Sequence, residues 1–341
     1  MIELKDDSLV FTFPEVHSDA VLRIEFQRTL RIPDDGKKHP LPPGLGEFPL
    51  RHVDDFAAKV PESWLEHGGV MLPMYQSEAL WVNFRGSRSW TDSEYPVAVK
   101  VATGKINAVT GKAWENGLNR KPQDYLVVPE QPWLDGYCVA KGEIRQFVAM
   151  PLGAGYSAEE QITGAAEHGG LQIIAYPMKT EAYERYRKDR RFTEDHMVLA
   201  MAPAGRVRAL FSMGLAPGGR MRQKIYDDTY DYEDWDVSHS SRCFVHIANS
   251  MVWRAITGQA APTVPPTARA YTEAGLPWFD LYDEHVSAVE GGAALEGLKS
   301  VKELGEEKGE VPLPENESID PHIVKKLRLG LKKHQVREGV F

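Results

Sequence analysis

His239, Cys243 and His246 are residue types that ligate transition metals, and they stand four and three positions apart. At about 100° per residue that spacing places all three on one stripe of a helix, with Ser250 further along it. A His-x3-Cys-x2-His stripe could supply three borderline ligands to zinc. The competing reading is structural: Cys243 is a small buried residue, and the two histidines bond to neighbouring groups. No His-Glu-x-x-His motif and no second ligand cluster at a matching spacing accompanies the stripe.

A second set of candidates lies between Gln146 and Lys179, which reads as strand, glycine loop, short helix, glycine pair and strand. Ser157 and Glu160 form a Ser-x-x-Glu capping box, and Gly164 supplies the stop. Gly153, Gly155, Tyr156 and Ser157 then sit where a helix start meets two strand ends, a place that can offer N–H groups to an anion or a peptide. The capping box uses those donors itself and adds a carboxylate. Ala158 also stands where G-x-G-x-x-G needs its third glycine, so the tract reads first as a tight connection. His168, beside Gly169 and Gly170, and Glu160 are the candidates for proton transfer. A packing role is the plain alternative for His168.

Two charged segments could take partners. Tyr226 to Asp236 packs six carboxylates and four aromatic rings into eleven residues. It could hold calcium, a cation or a sugar, but it lacks the order of an EF-hand loop and reads as an acidic loop anchored by its aromatics. Lys325, Lys326, Arg328, Lys332, Lys333 and Arg337 flank a stripe of Ile323, Val324, Leu327 and Leu331, which predicts a basic amphipathic C-terminal helix begun by Asp320 and Pro321. Such a helix could dock on this chain's own acidic surface, on another subunit, on another protein, on an anionic membrane or on nucleic acid, and docking within a homo-oligomer ranks first because it needs no outside partner. Arg185, Arg187, Lys188, Arg190 and Arg191 alternate with Tyr183, Tyr186 and Phe192, a pattern that suits single-stranded nucleic acid. The net charge of -9 argues against nucleic acid as the partner.

Signatures of the common enzymes are missing. Val97-Ala-Val-Lys100 lacks the downstream motifs of a kinase, Gly104-Lys105 and Gly111-Lys112 are not P-loops, and no Gly-x-Ser-x-Gly elbow occurs. No cofactor is named by any motif. The 341 residues are 42% hydrophobic and 26% charged, which predicts a soluble protein with a sizeable core. Two cysteines and no apolar leader predict a reduced, cytoplasmic setting. No apolar run reaches the length of a membrane span.

The elements that would position these residues are β-rich at first. Alternation predicts strands over Ser8 to Phe13, Val21 to Phe26 and Ala79 to Phe84, and further strands at Val97 to Val101 and Tyr125 to Val128. Ala102–Lys105, Lys141–Glu143 and Pro203–Gly205 read as hairpin turns. Ile32 to Leu45 reads as a loop. Connections this short exclude a doubly wound parallel sheet. Helices are predicted at Glu181 to Arg191, at Ser240 to Thr257 and around Leu295 to Leu304.

The expectation is an α+β protein, mainly antiparallel sheet, curved or barrel-like, with helices in the C-terminal third. Its parts would be an N-terminal β segment (1–60), a central domain (61–260), a proline-led helical extension (261–304), a linker (305–319) and the basic helix (320–341). Functionally it reads as a non-catalytic binding or assembly protein that self-associates or takes a protein partner through its basic arm. The alternatives are a metal-dependent hydrolase with the His/Cys/His site and a nucleic-acid-binding protein.

Overall fold

The computed structural model describes residues 1–86, 94–190, 212–280 and 286–326. Strand occupies 37% and helix 19%, so sheet supplies the frame of this α+β protein. The larger sheet runs Ile2–Lys5, Ser8–Thr12, Val21–Thr29, Ala79–Gly86, Glu143–Pro151, Met213–Arg222, Lys38–His39, with three short strands paired at its sides. The smaller runs Ile106–Asn107, Val97–Thr103, Leu171–Pro177, Ser241–Asn249, Val70–Met74, Arg51–His52, and Leu126–Val128 also pairs with Val97–Thr103. Phe26, Val82 and Phe147 of the first sheet join Val99, Ile173 and Val245 of the second in one hydrophobic cluster.

Most pairings are antiparallel, but Lys38–His39 runs parallel to Arg220 and Met221, and Val70–Met74 runs parallel to Ser241–Asn249. The sheets are therefore mixed and open, not barrel-like. The alternating segments form the strands expected of them, with one face of Ser8–Thr12 and Ala79–Gly86 turned to the core and Val21–Thr29 buried on both faces from Ile24 onward. The turn at Lys141 joins Gly136–Ala140 to Glu143–Pro151, and the turn at Gly104 joins Val97–Thr103 to Ile106–Asn107. Pro203–Gly205 lies outside the described residues. The expected loop at 32–45 contains the short strand Lys38–His39 and the start of Gly44–Glu47.

The largest correction falls at 240–257. Ser241–Asn249 is a strand, and the helix begins only at Ser250, with the Asn249 side chain accepting from the Met251 N–H. A run of Cys, Phe, Val, Ile and Ala fits the helical apolar pattern and a central strand equally well, and flanking strands on both sides decide for the strand. Gly258 ends the helix in the left-handed conformation, as its position predicts. Helices are also not confined to the C-terminal third, since Glu62–His67 and Ala158–Thr163 precede it.

The C-terminal segment covers the outer face of the larger sheet. Tyr271, Trp278 and Ile319 pack on Leu30, Ile32, Ile144 and Met221, while Val301, Leu304 and Tyr156 pack on Ala79, Val148 and Ala216. Residues 305–319, expected as a solvated linker, carry a short 3-10 turn at Pro314–Asn316 and the buried Ile319. The helix expected from Asp320 is corrected in its described part: Val324–Lys326 is a strand paired parallel to Trp278–Asp280. A hydrogen-bonding edge is available there, and β-branched Val324 fits it. Among the described residues no helix is long and apolar enough to cross a membrane.

Candidate functional site

Where this C-terminal cover meets the larger sheet lies a cavity of about 440 Å3. Its lining consists of Gly36 with four acidic side chains (Asp34, Asp35, Glu303, Glu306) and four basic ones (Lys38, Arg145, Arg220, Lys302). They come from four separate stretches of chain. Each is held in place by a local device.

Arg145 and Arg220 are opposite one another on neighbouring strands, and the ladder shifts register between Arg145 and Phe147. Such a bulge re-aims a side chain relative to its neighbours. The 31–36 segment is fastened by Gln146, which is fully buried; its Oε1 accepts from the Ile32 N–H at 2.8 Å and its Nε2 donates to the Leu30 carbonyl at 2.9 Å. Gly219 lets that segment lie directly on the sheet. A Cβ there would stand 2.4 Å from the Pro33 carbonyl oxygen and 2.7 Å from that of Ile32. The opposite wall is the helix Val301–Glu307, begun by a second capping box in which Ser300 Oγ accepts from the Glu303 N–H and Glu303 Oε2 accepts from the Ser300 N–H.

The ion pairs of the lining residues, with Glu143 beside them, are unevenly satisfied. Lys38 and Arg220 both donate to Glu143, and Asp35 accepts from His39, Ser318 and the Lys37 N–H. Burial alone would raise Glu143 and Asp35, but the bonds from Lys38 and Arg220, and from Ser318 and His39, outweigh it and hold both carboxyls below their ordinary range. Glu303 is lowered in the same way, against burial, by the Ser300 N–H and the charge of Arg145. Arg145 itself is 4% exposed, yet its contacts are long: Nη1 to Asp34 at 3.5 Å and to the Gly218 carbonyl at 3.4 Å, Nη2 to Glu303 at 3.4 Å. Its Nε is buried without a hydrogen-bond partner.

Behind this floor lies Arg31, 3% exposed, whose Nη2 donates to Asn316 Oδ1 at 2.6 Å while Nε and Nη1 have no partner. Burial pushes Arg31 down to about 10 against the nearby charges of Glu315 and Asp34. Glu315 Oε2 is likewise buried and unbonded. Unsatisfied buried groups of both signs concentrate at this one seam, where each is costly.

The residues singled out by spacing are not brought together. Cys243 and His246, an odd number of positions apart on one strand, point to opposite faces, so the helical stripe does not exist. His239 is outside the strand and bonds Asp236 at 2.8 Å. His246 Nε2 donates to the Gly68 carbonyl at 2.9 Å, its ring stacks on Trp64, and burial pushes it down to about 4. Burial raises the Cys243 thiol to about 12. Both cysteines are free and buried. Among the described residues no group of three or more His, Cys, Asp and Glu side chains is arranged to hold a metal ion.

The capping box at Ser157 and Glu160 forms as expected, with Gly164 left-handed at the far end. Glu160 is fully engaged, accepting from the N–H groups of Gly155 and Ser157 and from Ser157 Oγ. Gly153 and Gly155 take positive φ, and buried Tyr156 lies under the Lys308 ammonium at 3.7 Å. Glu159, which the spacing did not single out, holds the backbone of this turn, its Oε2 accepting from the N–H groups of His168 and Gly169, while the His168 ring lies 3.5 Å from the Glu167 carboxylate. Burial holds His168 below its ordinary range.

The acidic aromatic segment is anchored as the sequence suggests. Asp228 accepts from Tyr125 and Trp235, and Asp234 accepts from Arg185 and Tyr186. The basic helix Thr180–Arg190 thus meets the acidic loop in the same chain. Lys325 and Lys326 lie on the exposed strand Val324–Lys326, and Arg328, Lys332, Lys333 and Arg337 lie outside the described residues.

Sequence reasoning missed the charged cavity because no local spacing links positions 34, 145, 220 and 303. Two signals were nevertheless present: the Ser300-x-x-Glu303 capping box and the Gly218-Gly219 pair in a strand. Comparison with protein-family models, with curated proteins and with solved structures gives no match.

Proposed function

We propose that this chain is a binding protein for a small, highly charged ligand seated in the cavity between the larger sheet and its C-terminal cover. Arg145 carries the reading: a guanidinium 96% removed from water normally has short, directed bonds, and this one has only long contacts and a bare Nε. The state of the carboxylates favours binding over proton transfer. Asp35, Glu143 and Glu303 are all held below their ordinary range, so at neutral pH they are fixed charges, poorly matched to general acid–base work. A thermal-shift screen of small charged solutes tests it. At least one class should raise the Tm of the wild type and leave Arg145→Gln unmoved; if no solute distinguishes the two, the reading fails.

Self-association is the second reading, and one observation favours it. Leu276, Ile323 and Val324 remain 44 to 45% exposed beside the small parallel pair of strands. Light scattering over a concentration series should then show an oligomer that Ile323→Lys dissociates. Deleting 305–341 would not be a clean test, because Glu306 lines the cavity and Asn316 holds Arg31.

A further inference from the structure

Resting on the binding reading of this cavity, we infer that its ligand is a small zwitterion of the α-amino-acid type, its carboxylate on Arg145 and its ammonium toward Asp34 and Glu303. The lining excludes simpler charges. A lone oxyanion entering beside Arg145 would face Asp34 and Glu303, both within 3.5 Å of that guanidinium, with Asp35 and Glu306 on the same walls. A lone cation would meet the same problem with Arg145, Arg220 and Lys38. A molecule that carries both signs on neighbouring atoms adds no net charge and offers each wall its complement.

The pattern of satisfaction says where the two ends go. Glu143 already takes Lys38 and Arg220, and Asp35 already takes His39 and Ser318. Arg145, by contrast, holds Asp34 and Glu303 only at 3.4 to 3.5 Å, longer than a charge-assisted hydrogen bond. Arg145 and Asp34 are the groups with most to gain from a ligand, and Glu303 gains in part, since its Oε2 also accepts from the Ser300 N–H. A carboxylate can replace the loose contacts on the guanidinium, and an ammonium can take the carboxylates so released.

The cavity also sets the rest of the molecule. About 440 Å3 lies within the range of small-molecule sites, and every side chain lining it is charged. The lining offers charged head groups on aliphatic stems and no aromatic or branched apolar side chain, so polar amino acids or short polar peptides are the expected class.

Isothermal titration calorimetry on the full chain tests the proposal, with L-glutamate, L-arginine, L-serine and glycylglycine as probes. N-acetyl-L-glutamate removes the ammonium, L-argininamide removes the carboxylate, and acetate, phosphate and putrescine carry one sign only. The expected result is binding by at least one zwitterion, at least tenfold weaker binding by its acetylated or amidated form, and a similar loss in Arg145→Gln and Asp34→Asn. Should either variant fold poorly, Glu303→Gln carries the same test, since glutamine preserves the capping box while removing the charge. If phosphate or acetate binds as well as any zwitterion and loses affinity in Arg145→Gln, the zwitterion proposal is overturned and the cavity reading stands. If no probe binds and the variants alter only thermal stability, both are overturned.

Discussion

Arg28 and Arg31 stand three residues apart, each 3% exposed, and the chain treats them in opposite ways. Arg28 donates through Nε and Nη2 to Glu78 Oε1 at 2.9 and 2.6 Å and also reaches the Thr263 carbonyl, while the other oxygen of Glu78 accepts from the Tyr75 N–H. Arg31 makes one bond, to Asn316, and leaves two nitrogens bare. Both guanidiniums bear the desolvation that burial imposes, but only Arg28 is hydrogen-bonded to a carboxylate, whereas Glu315 and Asp34 act on Arg31 by charge alone. A paired buried arginine is cement. An unpaired one beside a charged cavity marks a place that the fold has left for something else.

The largest expected effect breaks this comparison if it is wrong. Arg28→Met leaves Glu78 buried without its cation and should cost roughly 3–5 kcal/mol, whereas Arg31→Met removes a poorly compensated charge and should change stability by about 1 kcal/mol or less, or raise it. Urea unfolding at pH 7 measures both. Equal losses would mean that Arg31 is as well supported as Arg28.

Next in size is Gly219→Ala. Its Cβ would collide with the Pro33 and Ile32 carbonyls, which are backbone and cannot swing aside. A loss of roughly 1–3 kcal/mol is expected, together with faster amide exchange across 32–38 and loss of ligand binding at the cavity. Protection of that segment unchanged from wild type would show that it does not depend on the close approach.

The third effect depends on pH. Asp35 and Glu143 are lowered in the folded state, so the stability they confer is present above the ordinary carboxylate range and is lost as pH falls through their folded values. Below pH ~4 the wild type should therefore lose stability steeply. Glu143→Gln should be less stable by about 1–2 kcal/mol at pH 7, and the difference should vanish in acid, where wild-type Glu143 is itself protonated. A difference that persists at pH 2 would assign the loss to packing instead of charge.

These positions also show what the sequence made legible. Val21 to Phe26 was readable from its alternation, a two-residue period recorded in the chain itself, whereas the continuation to Thr29, buried on both faces, was not. Ser157 and Glu160 were readable because a capping box is local. Ser241–Asn249 was not, because its run of apolar residues satisfies two periods and only the neighbouring strands choose between them. The metal stripe failed with it, since a change of period from 3.6 to 2 moves Cys243 and His246 to opposite faces. The cavity was least legible of all. Asp34, Arg145, Arg220 and Glu303 are ordinary surface residue types until strand pairing brings them together.

The smallest effect on stability sharpens the comparison most. Glu303 is half exposed, and glutamine can still accept from the Ser300 N–H, so Glu303→Gln should shift unfolding by about 0.5 kcal/mol or less. Its effect on the cavity is of a different kind, because the helix carboxylate that contacts Arg145 would be neutral. A ligand that uses that carboxylate should bind measurably more weakly to a protein of nearly unchanged Tm. Arg28→Met should do the reverse, lowering Tm strongly while any protein still folded binds as before. Calorimetric titration of the two variants side by side therefore separates the paired arginine, which holds the fold, from the seam around Arg145, which the fold holds ready. If both variants lost stability and binding in proportion, the distinction between the two regions would collapse.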